Sequence, residues 1–233
     1  MVEPLYRIKV ACICCKADFE SSKVRPSFKK SSKTDTDFCM HYKEHNPDFY
    51  VVRVCPYCGF AVTENFGDKL TELQRQTYYD KIGKKWEIHD YSGERTWEDA
   101  LGTYKLALIC AQIKGEKERV IAGLLHHIAW MYRYRGQSEQ EKRFLQHALD
   151  AYVNVFETEG VDLNNARLMY LMGELNRRLE NYKEAVKWFG RVINDKKIMD
   201  ASMIRASREM WITTREDMLA KRMELPEEMQ GAK

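Results

Sequence analysis

The hydrophobic rhythm of the chain changes near residues 62–68. Before that point apolar positions come in short β-prone runs, of which Tyr50-Val51-Val52-Arg53-Val54 is the clearest. β-Branched and aromatic residues suit a pleated, half-buried surface, so this run is expected to form a strand. From about Asn65 onward the apolar residues recur at steps of three and four. Trp97, Ala100, Leu101, Tyr104, Ala107 and Leu108 form one stripe, and Ile121, Leu124, Leu125, Ile128 and Tyr132 form a second. Phe144, Leu145, Ala148, Leu149, Tyr152, Val155 and Phe156 form a third. Such spacing turns one face of each helix toward a core. The expected fold is therefore mainly α. A small β module spans residues 1–64, a helical domain spans 65–223, and a charged tail over 224–233, carrying Pro226 and Gly231, is expected to fray.

Start signals precede three of the helices. Thr96 with Asp99, Ser138 with Glu141, and Asn181 with Glu184 have the spacing of a capping box, in which two side chains satisfy backbone N–H groups left over at the helix start. Gly136 and Gly160 lie where helices are expected to end. The stripes also share offsets: Trp97, Ala100, Tyr104 and Ala107 match Tyr182, Ala185, Phe189 and Val192 at identical spacing. The pattern resembles the tetratricopeptide repeat, whose paired helices meet through small residues with an aromatic filling the gap. On this register the first helix of the first pair lies within 66–85, and residues 201–222 form a capping helix. Ala100, Tyr104, Ala148, Gly173, Ala185 and Phe189 take inward, structural positions. Arg133 and Arg177 fall on the concave, partner-facing side, with Asn176 nearer the packing face. The match has departures: Glu141 stands where Ala is expected, and Ala129 to Gly173 is 44 residues, longer than the roughly 34 of the repeat. A plain antiparallel helical bundle is the alternative.

Composition sharpens the first 64 residues more than the rest. The formal net charge of +3 lies entirely in residues 1–60, which hold ten Lys/Arg and seven Asp/Glu, so any pull on an anionic partner would come from there. No apolar run approaches the roughly 20 residues that span a bilayer, and Met1–Val10 has no apolar stretch suited to a secretory signal. A cytoplasmic location without a membrane partner is the resulting expectation. In a reducing compartment, paired CxxC motifs favour metal over disulfide chemistry. Cys12 and Cys15 form one pair, and Cys55 and Cys58 form the other. Two such knuckles place four thiolates around one structural Zn²⁺, in the manner of a zinc ribbon. A redox role would need a βαβ setting that the pattern lacks.

The 39 residues between the pairs must form an inserted hairpin or loop. Cys14 is an alternative to Cys15 only if the CxxC spacing is given up. Cys39, His41 and His45 would make a second site short of one ligand. Lys23, Arg25, Lys29, Lys30 and Lys33, with Phe28 among them, could touch phosphate, although a solvated mobile loop is the preferred reading. Asp35 and Asp37 would share one face of a strand. Cys110 lies in an apolar helical stretch and reads as core, while His126 and His127 point in different directions from one helix. The sequence contains no HExxH, GxSxG, P-loop or strand-borne GxGxxG.

The segments Asp35-Thr36-Asp37-Phe38-Cys39, Asn46-Pro47 and Val54-Cys55-Pro56-Tyr57-Cys58-Gly59-Phe60-Ala61 resemble a bacterial family known as domain of unknown function 2225. The resemblance covers most of the chain and implies an N-terminal CxxC module followed by a tetratricopeptide-like helical region. Ile13 and Lys16 depart from the family's usual Pro and Gly in the first knuckle. The resemblance implies no activity. The function expected is that of a non-enzymatic adaptor or scaffold, binding a protein partner through its helices. A nucleic-acid-binding regulator using the basic insert is the alternative, and a metal- or thiol-dependent enzyme with Cys39 as the reactive group is the second alternative.

Overall fold

The computed structural model describes residues 2–158 and 165–230. Gly160, an expected helix end, lies outside them. Six short strands form three separate antiparallel pairs: β1 (Leu5–Ala11) with β2 (Asp18–Val24), β3 (Ser31–Thr34) with β4 (Met40–Tyr42), and β5 (Arg53–Val54) with β6 (Ala61–Val62). The helices follow as α1 (Glu72–Lys81), α2 (Trp97–Lys114), α3 (Glu118–Tyr134), α4 (Ser138–Thr158), α5 (Ala166–Arg178), α6 (Tyr182–Asn194), α7 (Ala201–Ala220) and α8 (Glu227–Gln230). The protein is mainly helical with small antiparallel strand pairs. Among the described residues no helix is long and apolar enough to cross a membrane.

The strand expected at 50–54 is shorter than its composition suggests. Asn46 caps a 3₁₀ turn over Pro47–Tyr50, its side chain accepting from Asp48 N, and only Arg53 and Val54 pair with a neighbour. Pro47 presets the turn's backbone. The carbonyls of Phe49 and Val52 are held by the buried Arg95 guanidinium, each at 2.8 Å, so they are not free to join a ladder.

The helix starts divide in the same way. Thr96 and Asp99 form the expected capping box, and Thr71 with Gln74 forms another at α1 that the stripes did not reveal. At α4 the helix begins at Ser138 itself, and the Glu141 carboxylate turns to Arg133 at 2.7 Å. Asn181 does stand at the N-cap of α6, but its side chain makes no capping bond and Glu184 pairs with Lys187 instead. Gly136, with φ of 64°, follows the end of α3 as expected.

The chain divides into two compact units, Met1–Phe144 and Leu145–Lys233. The change from strands to helices near residue 65 therefore falls inside the first unit. Its core joins Val52, Val54, Phe60 and Ala61 to Tyr78 of α1, Ala100 and Tyr104 of α2, and Ile128 of α3. Burial of these side chains, about 25 cal/mol per Å² of apolar surface, is what lets such short strands persist. In the second unit α5 and α6 form a close hairpin. A Cβ on Gly173 would lie 2.7 Å from the Phe189 ring, so only glycine admits this approach. Tyr182, Val186, Met218 and Met229 form a further cluster with Trp211 against it. Within the tail that was expected to fray from Glu224, Glu227–Gln230 form α8 and Met229 is buried.

Candidate metal centre

The two CxxC motifs occupy the turns of two hairpins built alike. In the first, between β1 and β2, Cys12 N donates to Ala17 O at 2.9 Å and Lys16 N to Cys12 O at 3.0 Å. In the second, between β5 and β6, Cys55 N donates to Phe60 O at 3.1 Å and Gly59 N to Cys55 O at 2.8 Å. Each turn also needs one left-handed residue after its second cysteine, with φ of 68° at Lys16 and 73° at Gly59. Lys16 thus keeps the knuckle geometry that Gly59 keeps, at the steric cost that a side chain carries in this region.

The four sulfurs converge. Cys12 Sγ lies 3.6 Å from Cys58 Sγ and Cys15 Sγ lies 3.6 Å from Cys55 Sγ, and all four ligand atoms fall within 4.8 Å of one another. A tetrahedron of sulfurs at the usual Zn–S distance has edges of about 3.8 Å, so the donor set and its spacing fit such an ion. Cys14 Sγ is outside this group. Its backbone carbonyl accepts from Arg75 of α1.

The second knuckle is fastened from above by the helical part of its own unit. Tyr78 Oη donates to Cys58 O at 2.7 Å, and Trp86 Nε1 donates to Pro56 O at 2.8 Å. The Trp86 ring lies where a Cβ on Gly59 would be, 2.3 Å away, so Gly59 is required both for its backbone angle and for this contact. Cys110, expected in the core, is fully buried, and its Sγ accepts from Ala61 N at 3.4 Å.

The insert between the knuckles is built into the fold. Its basic residues are partly engaged: Lys23 and Arg53 pair with Glu64, Arg25 Nε donates to Glu3 O, and Lys33 pairs with Asp35 at 2.8 Å. Asp35, Asp37 and Cys39 lie on the turn between β3 and β4 rather than along a strand, and both carboxylates meet one arginine, Arg133 of α3. The guanidinium grips Asp37 with two bonds of 2.8 and 2.7 Å, reaches Asp35 Oδ2 at 3.0 Å and holds Glu141 at 2.7 Å. His126 and Trp130, on the same face of α3 as Arg133, lie 3.2 and 3.1 Å from Asp37 Oδ2. His127 turns away and stacks on Tyr104.

These contacts set the ionisation of the cluster. Burial alone would push the Asp37 carboxyl up, but His126 and Arg133 outweigh it and hold it well below the usual carboxylate range. Asp35 behaves likewise: burial is outweighed by His41, Lys33 and Arg133, which bring it to about 2. Burial pushes the Cys39 thiol up to about 12, and its Sγ donates to Tyr134 Oη at 3.5 Å, so this is a packed thiol rather than a ready nucleophile. Asp35, Cys39 and His41 do bring three ligand atoms within 4.8 Å. The Asp35 oxygen facing His41 already takes a bond from Arg133, whose charge opposes a cation there. His45 is not part of that group.

Two expected partner-facing residues are thereby reassigned. Arg133 is nearly buried and fully engaged, and it locks the β3–β4 hairpin to α3. Arg177 of α5 is bound to Glu174 at 2.8 Å and to Asp217 of α7 at 2.8 Å. Helical register placed both arginines on the concave, partner-facing side. It had no means of showing that carboxylates distant in sequence would reach them.

No curated protein matches the chain. Residues 5–214, a span that contains both knuckles, the Arg133 cluster and most of α7, match the family described as "Uncharacterized protein conserved in bacteria (DUF2225)", and the chain belongs to that family.

Proposed function

We propose that this chain is a non-enzymatic scaffold, in which Cys12, Cys15, Cys55 and Cys58 hold one structural Zn²⁺ and a tetratricopeptide-like helical region carries a protein-binding surface. The observation that carries the reading is the closure of the sulfur set: four donors within 4.8 Å leave no position for water or substrate. A closed site of this kind contributes folding free energy rather than chemistry. The repeat reading is supported by burial. Ala100, Tyr104 and Ala107 and their counterparts Ala185, Phe189 and Val192 are all at most 1% exposed. The 15 residues between α1 and α2, numbers 82–96, make the first pair looser than the α5–α6 hairpin.

Metal analysis should find one zinc per chain, and a Cys55→Ser/Cys58→Ser variant should have lost it. Retention of full zinc by that variant would sink the assignment. For the scaffold role, the partner surface is placed on the second unit, where α6 and α7 leave an open groove. Affinity capture with wild type and with a Trp188→Ala/Trp211→Ala variant of unchanged helicity should differ in the proteins retained. Identical capture by both would remove the groove from the function.

A further inference from the structure

The α6–α7 groove combines two features that are seldom left exposed together. Its volume is about 1020 Å³, and its walls carry Trp188 and Ile193 from α6 and Trp211 and Ile212 from α7. Ile212 is 54% exposed. An apolar trough with tryptophan on both sides suits the buried face of another segment, since aromatic anchors dominate such contacts. Gly190 lies in the same wall, and a Cβ there would meet nothing within 4 Å, so the trough is open at that point.

The rim is cationic. Arg191, Arg208 and Arg215 all line the groove, and among the described residues no carboxylate pairs with any of them. The Arg191 guanidinium rests on the Trp188 ring at 4.9 Å. Arg215 Nε is buried without a hydrogen-bond partner, and an orphaned guanidinium donor of this kind calls for an acceptor. Glu184 at the groove's end is taken by Lys187 at 2.6 Å. The positive rim is local rather than general. Residues 145–233 hold 14 Lys/Arg against 15 Asp/Glu, so this unit lacks the overall basic charge of a nucleic-acid-binding domain.

We infer that the α6–α7 groove receives an acidic amphipathic segment of a partner protein. Its apolar side chains would seat between Trp188 and Trp211, and its carboxylates would bond Arg191, Arg208 and Arg215. Helices laid into apolar grooves are recognised by anchors three and four residues apart, and arginine forks pair well with carboxylates at the edge. This inference rests on the scaffold reading and adds the chemistry of the partner to it.

The test is selection of a displayed random dodecapeptide library on the zinc-loaded full-length chain. The selected peptides should be enriched in Asp and Glu, with Leu, Phe or Trp at helical spacing. An Arg191→Glu/Arg208→Glu variant should lose at least tenfold in binding to the winning peptide. Gly190→Phe, which fills the trough where no atom stands in the way, should lose binding while its melting temperature holds. Enrichment of neutral or basic peptides, binding that survives both variants, or no enrichment would overturn the inference. Tighter binding of an oligothymidylate, lost in the Trp188→Ala/Trp211→Ala variant, would reassign the groove to nucleic acid. If the library fails while captured proteins still depend on Trp188 and Trp211, the partner's chemistry is wrong and the scaffold reading stands.

Discussion

In the first compact unit, a hydrophobic core is reinforced by polar groups and clustered sulfurs that join segments far apart in sequence. In the second, α5 and α6 are joined through shape. Arg95 spans two backbone carbonyls, Tyr78 and Trp86 bond the carbonyls of the second knuckle, and Arg133 gathers three carboxylates. The α5–α6 hairpin depends instead on a missing side chain, Gly173, beneath the Phe189 ring. Polar and metal links add to the burial that holds the short strands, but they tie stability to protons and metal. Packing links ignore both and are sensitive to volume.

The first way to break this contrast is to remove Arg133. Arg133→Ala leaves Asp37, fully buried, without the guanidinium that grips it with two bonds, and should destabilise the first unit by about 3–5 kcal/mol in urea unfolding at pH 7. The pH dependence has a definite sign. Asp35 and Asp37 are more acidic folded than unfolded, so their contribution is complete above the unfolded carboxylate value near 4 and is lost as pH falls toward 2. The gap between wild type and Arg133→Ala should therefore narrow below about pH 3. A gap that stays constant from pH 7 down to about pH 2 would mean that the ion pairs do not carry the stability.

Gly173→Leu tests the packing side. The new side chain meets the Phe189 ring, and overpacking should cost roughly 1–3 kcal/mol with little dependence on pH. If this variant unfolds at the wild-type urea midpoint, the α5–α6 register is wrong and the plain bundle is the better description.

The smallest effect compares the two knuckles with each other. Lys16→Gly should stabilise the chain by about 1 kcal/mol, because glycine takes the left-handed angle without a Cβ penalty. Gly59→Ala should do the opposite, since the added Cβ runs into Trp86. Thermal melts of the two variants at saturating zinc should move in opposite directions.

The four-cysteine cluster was legible because CxxC spacing is a local property, and the fold brings Cys12, Cys15, Cys55 and Cys58 within 4.8 Å of one another. Helices were legible where their apolar stripes were long, as in α2, α3 and α4. The Tyr50–Val54 strand was misread because Asn46, Pro47 and the distant Arg95 outweigh the β propensity of three apolar residues. The same holds for Arg133. Its partners lie more than 90 residues away, except for Glu141, and nothing periodic marks them. Two carboxylates in a short insert and an arginine beside an apolar helical stripe were each visible, but only the fold makes them a pair. The α6–α7 groove has no local signature, because Trp188 and Trp211 lie on different helices and only the fold sets them on one opening.

The most direct test of the contrast is hydrogen exchange, read segment by segment, on the chain refolded with one equivalent of zinc or with excess chelator. With zinc, the amides of β1, β2, β5 and β6 should be protected. With chelator, they should exchange as in an unfolded chain while α5 and α6 keep their protection. Protection of residues 5–24 and 53–62 that is unchanged by chelation would contradict the claim that zinc holds this end of the molecule together.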